Sequence, residues 1–391
     1  MSFSRKKFSP IKGAFLRERP LEFFCHQALE EWGGKDQRDT FALLHPLKRR
    51  KKHGLYVVLH SAGHDLYSSL SCTLYKGNHD IYHVPEDLYG LFLDCRSHEE
   101  RDFWWGGRRK EEEEDISRQK TIQAVEKRVC ATVEWAVKEY GIDPERVYLC
   151  GNSMGGSGAL GIGMAHGELF AAIKANVPAG VSHMLDRTVR TGKKFPDPPI
   201  CIDYSAQNDP WSCGHGEFYK AMRENSFALF GYWADFGHAN NNAVILEKND
   251  LVHSFDFLSI RKNEAYPVFT NASSDTPNPW ENDPEKVPSS GQVNGFFRWK
   301  KGKDLEKIFT MKLFLVTPET LTTSFPIPEE VSTDVSLRRL QKFHIEAGEK
   351  IAYSFGDLSG TVRADANGLL TLKGLKITSK ETPLILTRCK G

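Results

Sequence analysis

The chain has 391 residues, 40% of them hydrophobic, and a formal net charge of +1. That length supports a sizeable core in two or three domains, and the balanced charge gives no electrostatic reason to expect a nucleic-acid partner. No apolar stretch is long enough to cross a membrane as a helix, so no membrane partner is expected. The N-terminus, Met1 to Lys7, has no apolar run behind its charges and does not read as a signal peptide. The eight cysteines form no C-x-x-C pairs, which argues against a structural zinc site and supplies no disulfide framework. Cys150 and Cys201 fall in apolar runs and read as buried thiols. These features favour a cytoplasmic location. A secreted or periplasmic one would require a signal peptide already removed. The basic run at 48–52 and the acidic run at 111–115 read as solvated faces. His79 and His83 are one helical turn apart but lack the glutamate of an H-E-x-x-H helix, so no metal and no cofactor are expected.

In chain order, Leu21 to Trp32 reads as a helix ended by Gly33 and Gly34. Thr40 to His45 is a predicted strand. Leu55 to His60 is a continuous apolar strand of the kind buried on both faces. Gly90 to Asp94 is the next strand, and it leads toward a loop with Trp104 and Trp105 beside two glycines. Such rings are costly to leave exposed; they either cap the core or form an aromatic wall. Asp115 to Tyr140 carries apolar residues at helical spacing, with Gly141 to end the helix. Further strands are predicted at Val147 to Gly151, Ala171 to Val177, Pro199 to Ser205 and Ser226 to Asp235. Helices are predicted at Ser182 to Lys193, Glu217 to Glu224 and Leu251 to Arg261. Strands alternating with helices imply an α/β fold, a mostly parallel, doubly wound sheet covered on both faces. Asn271 to Gln292 is rich in Pro, Ser, Asn and Asp and reads as a linker. Beyond it come short β-like runs at 296–299, 310–316, 343–346, 350–355, 360–365, 369–375 and 384–388. These suit an antiparallel β-sandwich that resembles an immunoglobulin or fibronectin-type module. The expected organisation is an N-terminal extension at 1–39, an α/β domain at 40–270, a linker at 271–292 and a β-sandwich at 293–391.

The stretch from Val147 to Gly158 combines a buried strand, a G-x-S-x-G turn centred on Ser153, and a helix of small residues. A serine in such an elbow is lifted clear of the backbone, and glycines flank it because larger side chains would collide. The following helix points its free N–H groups back at the serine, so the Met154 N–H is placed to stabilise an oxyanion. This stretch resembles the serine esterases of the α/β-hydrolase superfamily, in which G-x-S-M-G-G is a frequent form. That resemblance implies a triad in the order serine, acid, histidine. Asp209, in a Q-N-D-P-W turn after a strand, and His238, in G-H-A-N after the next, occupy the corresponding places. Asp203 and Asp235 are rival acids and His215 a rival base. The resemblance also implies a second oxyanion donor after the Leu55 to His60 strand, at Ser61 or Ala62. The inferred chemistry is acyl transfer: an imidazole accepts the serine proton, and a carboxylate fixes that imidazole.

Within the superfamily, H-S-A-G, the Trp-Trp-Gly loop, G-N-S-M-G-G and G-H-A-N are most similar to feruloyl, acetyl-xylan and polyhydroxybutyrate-depolymerase-type esterases. The implied partner is a small-molecule or glycan ester, bound against His60, Trp104, Trp105 and Trp211. Two alternatives stand beside this reading. One is a serine peptidase of the prolyl-oligopeptidase type, which shares the triad order. The other is a non-catalytic carbohydrate-binding protein on a hydrolase scaffold.

Overall fold

A computed structural model describes residues 14–26, 29–32, 39–48, 50–74, 80–95, 103–104, 124–179, 181, 197–206, 209–212, 214–235, 237–238 and 251–389. Among these residues the largest sheet has ten strands, in the order β1-β2-β3-β5-β4-β6-β7-β8-β9-β11. They are β1 (Ala14–Leu16), β2 (Arg19–Cys25), β3 (Thr40–Leu44), β4 (Leu55–Leu59), β5 (Tyr89–Leu93), β6 (Val147–Asn152), β7 (Ala172–Asn176), β8 (Ile200–Ala206), β9 (Leu229–Ala234) and β11 (Gly291–Val293). The six strands from β5 to β9 run parallel, with antiparallel β1, β2 and β3 on one side and β11 on the other. A parallel sheet is stable only when both faces are covered, and β4 and β6 accordingly have every residue buried.

One face is covered by helices. Val57, Leu59, Leu149 and Ile173 join a core cluster with α2 (Ala124–Glu139), α3 (Met154–Ala165) and α4 (His215–Glu224). The opposite face is covered differently. Short α1 (Leu66–Cys72) packs over Tyr56 and Phe92, while a β module covers the rest. That module has a three-stranded antiparallel sheet of β10 (Tyr266–Thr270), β14 (Glu330–Arg338) and β17 (Thr371–Thr378). A five-stranded antiparallel sheet lies with it: β12 (Phe297–Leu305), β13 (Ile308–Leu315), β18 (Thr382–Arg388), β15 (Lys350–Phe355) and β16 (Leu358–Arg363). Val335 and Leu375 of the first sheet share one apolar cluster with Met311 and Leu386 of the second, and with Phe230 of β9.

Several expectations are corrected. Leu21 to Cys25 is strand, not helix: β2 pairs with β3, and Phe24 stacks on Phe41 with ring centroids 5.0 Å apart. The closing helix shrinks to α5 (Leu251–Ser254) and a 3-10 turn at Phe257–Ser259, because Phe255 turns inward to stack on Phe230 at 4.2 Å. The expected helix at 115–140 is present as α2; its first part, and the helix expected at 182–193, lie outside the described residues. Residues 343–346 form no strand, while β14 was not expected. The expected boundaries are also crossed. β2 belongs to the large sheet, β10 pairs with β14, and β11 returns to pair with β9. The chain between β10 and β11 is therefore folded structure joining two sheets, with Asn278 buried within it.

Two arginines fasten the module to the α/β part. Arg339, 5% exposed, donates to the carbonyls of Gly167, Phe170 and Ala171. Arg338 donates to the carbonyls of Asn225 and Ser226 and lies over the Phe227 ring.

Candidate active site

The site is built at the C-terminal ends of the parallel strands. β6 ends at Asn152 and α3 begins at Met154, leaving Ser153 between them at φ 57° and ψ −118°. A non-glycine residue held at positive φ costs about 1–3 kcal/mol and persists only where its surroundings enforce it. Here the Ser153 N–H donates to the Asn176 carbonyl at 2.9 Å, and its own carbonyl accepts from the Ser157 N–H at 3.0 Å. The glycines allow the close approach. A Cβ on Gly151 would stand 2.0 Å from the Gly155 carbonyl oxygen, and one on Gly155 would stand 2.1 Å from that of Leu59.

Asp209 and His238 follow the ends of β8 and β9. The Ser153 Oγ lies 2.6 Å from His238 Nε2. His238 Nδ1 donates to Asp209 Oδ2, and Asp209 Oδ1 accepts the Trp211 N–H at 2.9 Å. With Nδ1–H committed to a carboxylate, the neutral ring presents a lone pair at Nε2, as needed to accept a hydroxyl proton. Ser153 and Asp209 are buried at 8% and 5% exposure. Trp211 is 55% exposed, and its ring meets the His238 ring edge to face at 4.4 Å. Of the rings expected to contact substrate, Trp211 is thus a described one that lies beside the histidine.

Met154 begins α3, so its N–H is among the first-turn donors without an intrahelical acceptor. Ser61 and Ala62 follow β4 on the neighbouring strand. The Ser61 hydroxyl donates to the Asn152 carbonyl at 2.9 Å, one residue before Ser153, and lies 2.9 Å from the Tyr82 hydroxyl. Since the single Ser61 proton goes to Asn152, Tyr82 donates to Ser61; burial pushes the Tyr82 phenol up to about 12 and keeps it protonated. This leaves the backbone N–H groups of the loop, rather than the Ser61 hydroxyl, as the donors available to an oxyanion. Ala62 is exposed.

Two expected substrate contacts are corrected. His60 is fully buried: its Nδ1–H donates to the Ser61 carbonyl at 2.8 Å, and Nε2 lies 2.9 Å from Asp94. It anchors the loop. Trp104 is also fully buried, donates its indole N–H to the His60 carbonyl at 2.9 Å and packs against His60 edge to face. Its ring offers no surface to a substrate, so it serves as a core cap. Trp105 lies outside the described residues.

His238 faces Ser153 and Asp209 faces His238, whereas the rival base His215 faces Ser205 and Ser212. Asp235 is exposed. Asp203 and His215 are both fully buried, and they meet each other through Ser205. Trp280, stacked on His215 at 4.7 Å, was missed because it sits in the run expected to be a linker. Tyr82 was missed as well; neither residue lies in a recognisable motif.

A model of the prolyl oligopeptidase family of peptidases matches residues 107–222, a span that includes Ser153 and Asp209 and stops before His238. No curated protein matches the chain. Among solved structures, the fluorophosphonate-binding serine hydrolase FphF of Staphylococcus aureus aligns at 10% identity and TM-score 0.42, covering 56% of this chain and 92% of that one. An S-formylglutathione hydrolase from Agrobacterium tumefaciens aligns at 17% identity and TM-score 0.42, covering 58% and 91%. A ferulic acid esterase aligns at 13% identity and TM-score 0.39, covering 56% and 91%. With the family match falling across the elbow itself, the α/β part of this chain is similar to the serine hydrolases of the α/β-hydrolase superfamily.

Proposed function

We propose that the protein is a serine esterase in which Ser153 is the nucleophile, His238 the general base and acid, and Asp209 the residue that orients His238. The observation that carries this reading is the unbroken hydrogen-bonded chain from Ser153 Oγ through His238 to Asp209, set on an elbow at positive φ. In the first step Ser153 Oγ attacks the ester carbonyl and its proton passes to His238 Nε2. The Met154 N–H and the backbone after β4 stabilise the oxyanion. The alkoxide leaves with the proton from His238, giving an acyl-serine. Water, deprotonated by the same nitrogen, then releases the acid and restores Ser153.

For the substrate we propose an acetyl or feruloyl ester of a carbohydrate. The indole of Trp211 supports this, because a ring 55% exposed beside His238 is available to a sugar or aryl group next to the scissile bond. A second reading, a serine peptidase, is favoured by one observation, the prolyl oligopeptidase family match. Matched ester and amide substrates with the same acyl group separate the two. The esterase reading expects hydrolysis of the ester and little of the amide, and comparable rates on both would favour the peptidase. Covalent labelling by a fluorophosphonate, lost in Ser153→Ala, tests the nucleophile. Persistent labelling or turnover in that variant would overturn the assignment, and a wild type that is neither labelled nor active would leave the non-catalytic scaffold as the surviving alternative.

A further inference from the structure

The turn that carries Asp209 rests on a second, buried relay of polar side chains. The Asp209 carbonyl accepts from both the N–H and the hydroxyl of Ser212, at 3.0 and 2.7 Å. The Ser212 hydroxyl also accepts the indole N–H of Trp280 at 3.0 Å. The Ser212 carbonyl faces His215 Nδ1 at 2.7 Å. On its other side, His215 Nε2 lies 2.7 Å from Ser205 Oγ. That hydroxyl in turn lies 3.1 Å from Asp203 Oδ2, which accepts from the Tyr219 hydroxyl at 2.9 Å. Asp203, Ser205 and His215 are fully buried, and Ser212 is 4% exposed.

The protons in this relay can be counted. A carbonyl oxygen only accepts, so His215 must carry its proton on Nδ1. Ser205 has one hydroxyl proton for two neighbours. Either it goes to the Asp203 carboxylate while Nε2–H donates to Ser205, or Asp203–OH donates to Ser205 while Ser205 donates to Nε2. Both arrangements hold the same number of protons and satisfy every contact. In both, Nδ1–H points at the Ser212 carbonyl. An isolated histidine chooses freely between its two tautomers; this one has no such choice. The Nδ1–H on the Ser212 carbonyl is therefore kept in both arrangements, beside the His215 backbone N–H, which meets the same oxygen at 3.3 Å.

We propose that His215 is a positioning residue for Asp209, with Ser205 and Asp203 setting its tautomer and Trp280 its ring plane. The proposal rests on the reading of Ser153, His238 and Asp209 as the catalytic chain. It reassigns two of the three rival residues, Asp203 and His215: they do not replace the acid and base, they hold the acid in place.

The test uses the full chain with four variants: His215→Phe, His215→Asn, Asp209→Asn and the double variant His215→Phe/Asp209→Asn. Phe keeps a ring against Trp280 and removes both hydrogen bonds. Asn places an amide N–H where Nδ1–H was. With p-nitrophenyl acetate, His215→Phe should lower kcat about 10- to 100-fold with KM nearly unchanged, the size of loss expected from a small misplacement. His215→Asn should recover most of that loss. In the Asp209→Asn background, His215→Phe should cost less than about twofold, because residues acting through one another are not additive. Equal losses in both backgrounds, or no rescue by Asn, would overturn the proposal. Ser205→Ala, which leaves the ring in place, supplies a milder second variant if Phe does not fold, and a smaller loss in the same direction is expected. Fluorophosphonate labelling of the wild type keeps the two readings apart. If Ser153 is not labelled, the catalytic reading fails. Amide hydrogen exchange at Trp211 and Ser212 then still decides the positioning claim. Faster exchange in His215→Phe than in His215→Asn supports it, and unchanged exchange refutes it.

Discussion

Ser153 is held at φ 57° by backbone hydrogen bonds to Asn176, Ser157 and Ala179, with its hydroxyl on His238. Removing that hydroxyl leaves the backbone contacts untouched, so Ser153→Ala should fold normally and lose about 10⁴-fold or more in kcat. Asp209→Asn should be somewhat milder, since it keeps the side chain's shape but disturbs the His238 tautomer. Steady-state hydrolysis of an aryl acetate measures both. Near-wild-type turnover in either would remove that residue from the chain. Trp211 poses a different question, because it is more than half exposed while its ring meets the His238 ring at 88°. Trp211→Ala should raise KM for a feruloyl or glycan ester several-fold and change thermal stability little, as exposed side chains contribute little to folding. Hydrolysis of p-nitrophenyl acetate should be nearly unaffected. Equal losses on large and small substrates would assign Trp211 to support of His238 instead of substrate contact.

The elbow works as an element because two backbones come closer than any side chain allows. A Cβ on Gly155 would stand 2.1 Å from the Leu59 carbonyl, with backbone rather than a flexible side chain in the way. Gly155→Ala should therefore push α3 off β4 and destabilise the fold by at least about 1–3 kcal/mol, with activity lost alongside. Urea unfolding measures this; an unchanged midpoint would contradict the packing. This element was legible in the sequence because its requirement is local: two glycines, a serine and small helix residues must lie together wherever the turn forms. The meeting of Asp209 and His238 with Ser153 was legible for a related reason, as each follows an apolar strand. Other features depend on partners distant in the chain. Leu21 to Cys25 looks helical until β3 supplies a pairing edge, and Trp104 looks like a substrate wall until the His60 carbonyl takes its N–H. β14 did carry a signal, the alternation of Val331, Thr333, Val335 and Leu337, all of which are buried. The layer of β2, β3 and α2 offers a test of its own. His26 is buried, with Nε2 2.7 Å from Thr132 Oγ1. Burial first, then the nearby Arg128 charge, push its pKa from 6.5 down to about 3. The folded state thus binds fewer protons than the unfolded chain between about pH 3 and 6.5. Its contribution to stability is present above 6.5 and is lost as pH falls through that window. Tm should drop between pH 7 and pH 5, and His26→Gln should show a shallower drop than wild type. Parallel curves would refute this account.

At the scale of the whole molecule, the β module is part of the α/β core's covering. Phe230 of β9 stacks with Phe255 at 4.2 Å and reaches Trp299 of β12 at 6.1 Å. Arg339 spends its guanidinium on three carbonyls around the start of β7. Arg339→Met should leave those carbonyls without their donor and cost about 1–3 kcal/mol or more in urea unfolding. A loss below 0.5 kcal/mol, roughly the level of an ordinary surface change, would mean that the latch does not hold the module. The path of the chain through its two sheets has a further consequence for how the protein is made. β11 closes the edge of the large sheet, yet the chain reaches it only after β10 has gone to the other sheet. A nascent chain that has already released Ser153, Asp209 and His238 still presents β9 as a bare edge, open to pairing with another chain on the same messenger. The newborn protein is thus most exposed to aggregation when Ser153, Asp209 and His238 have left the ribosome and β11 has not, and slow translation just before Gly291 would lengthen that interval.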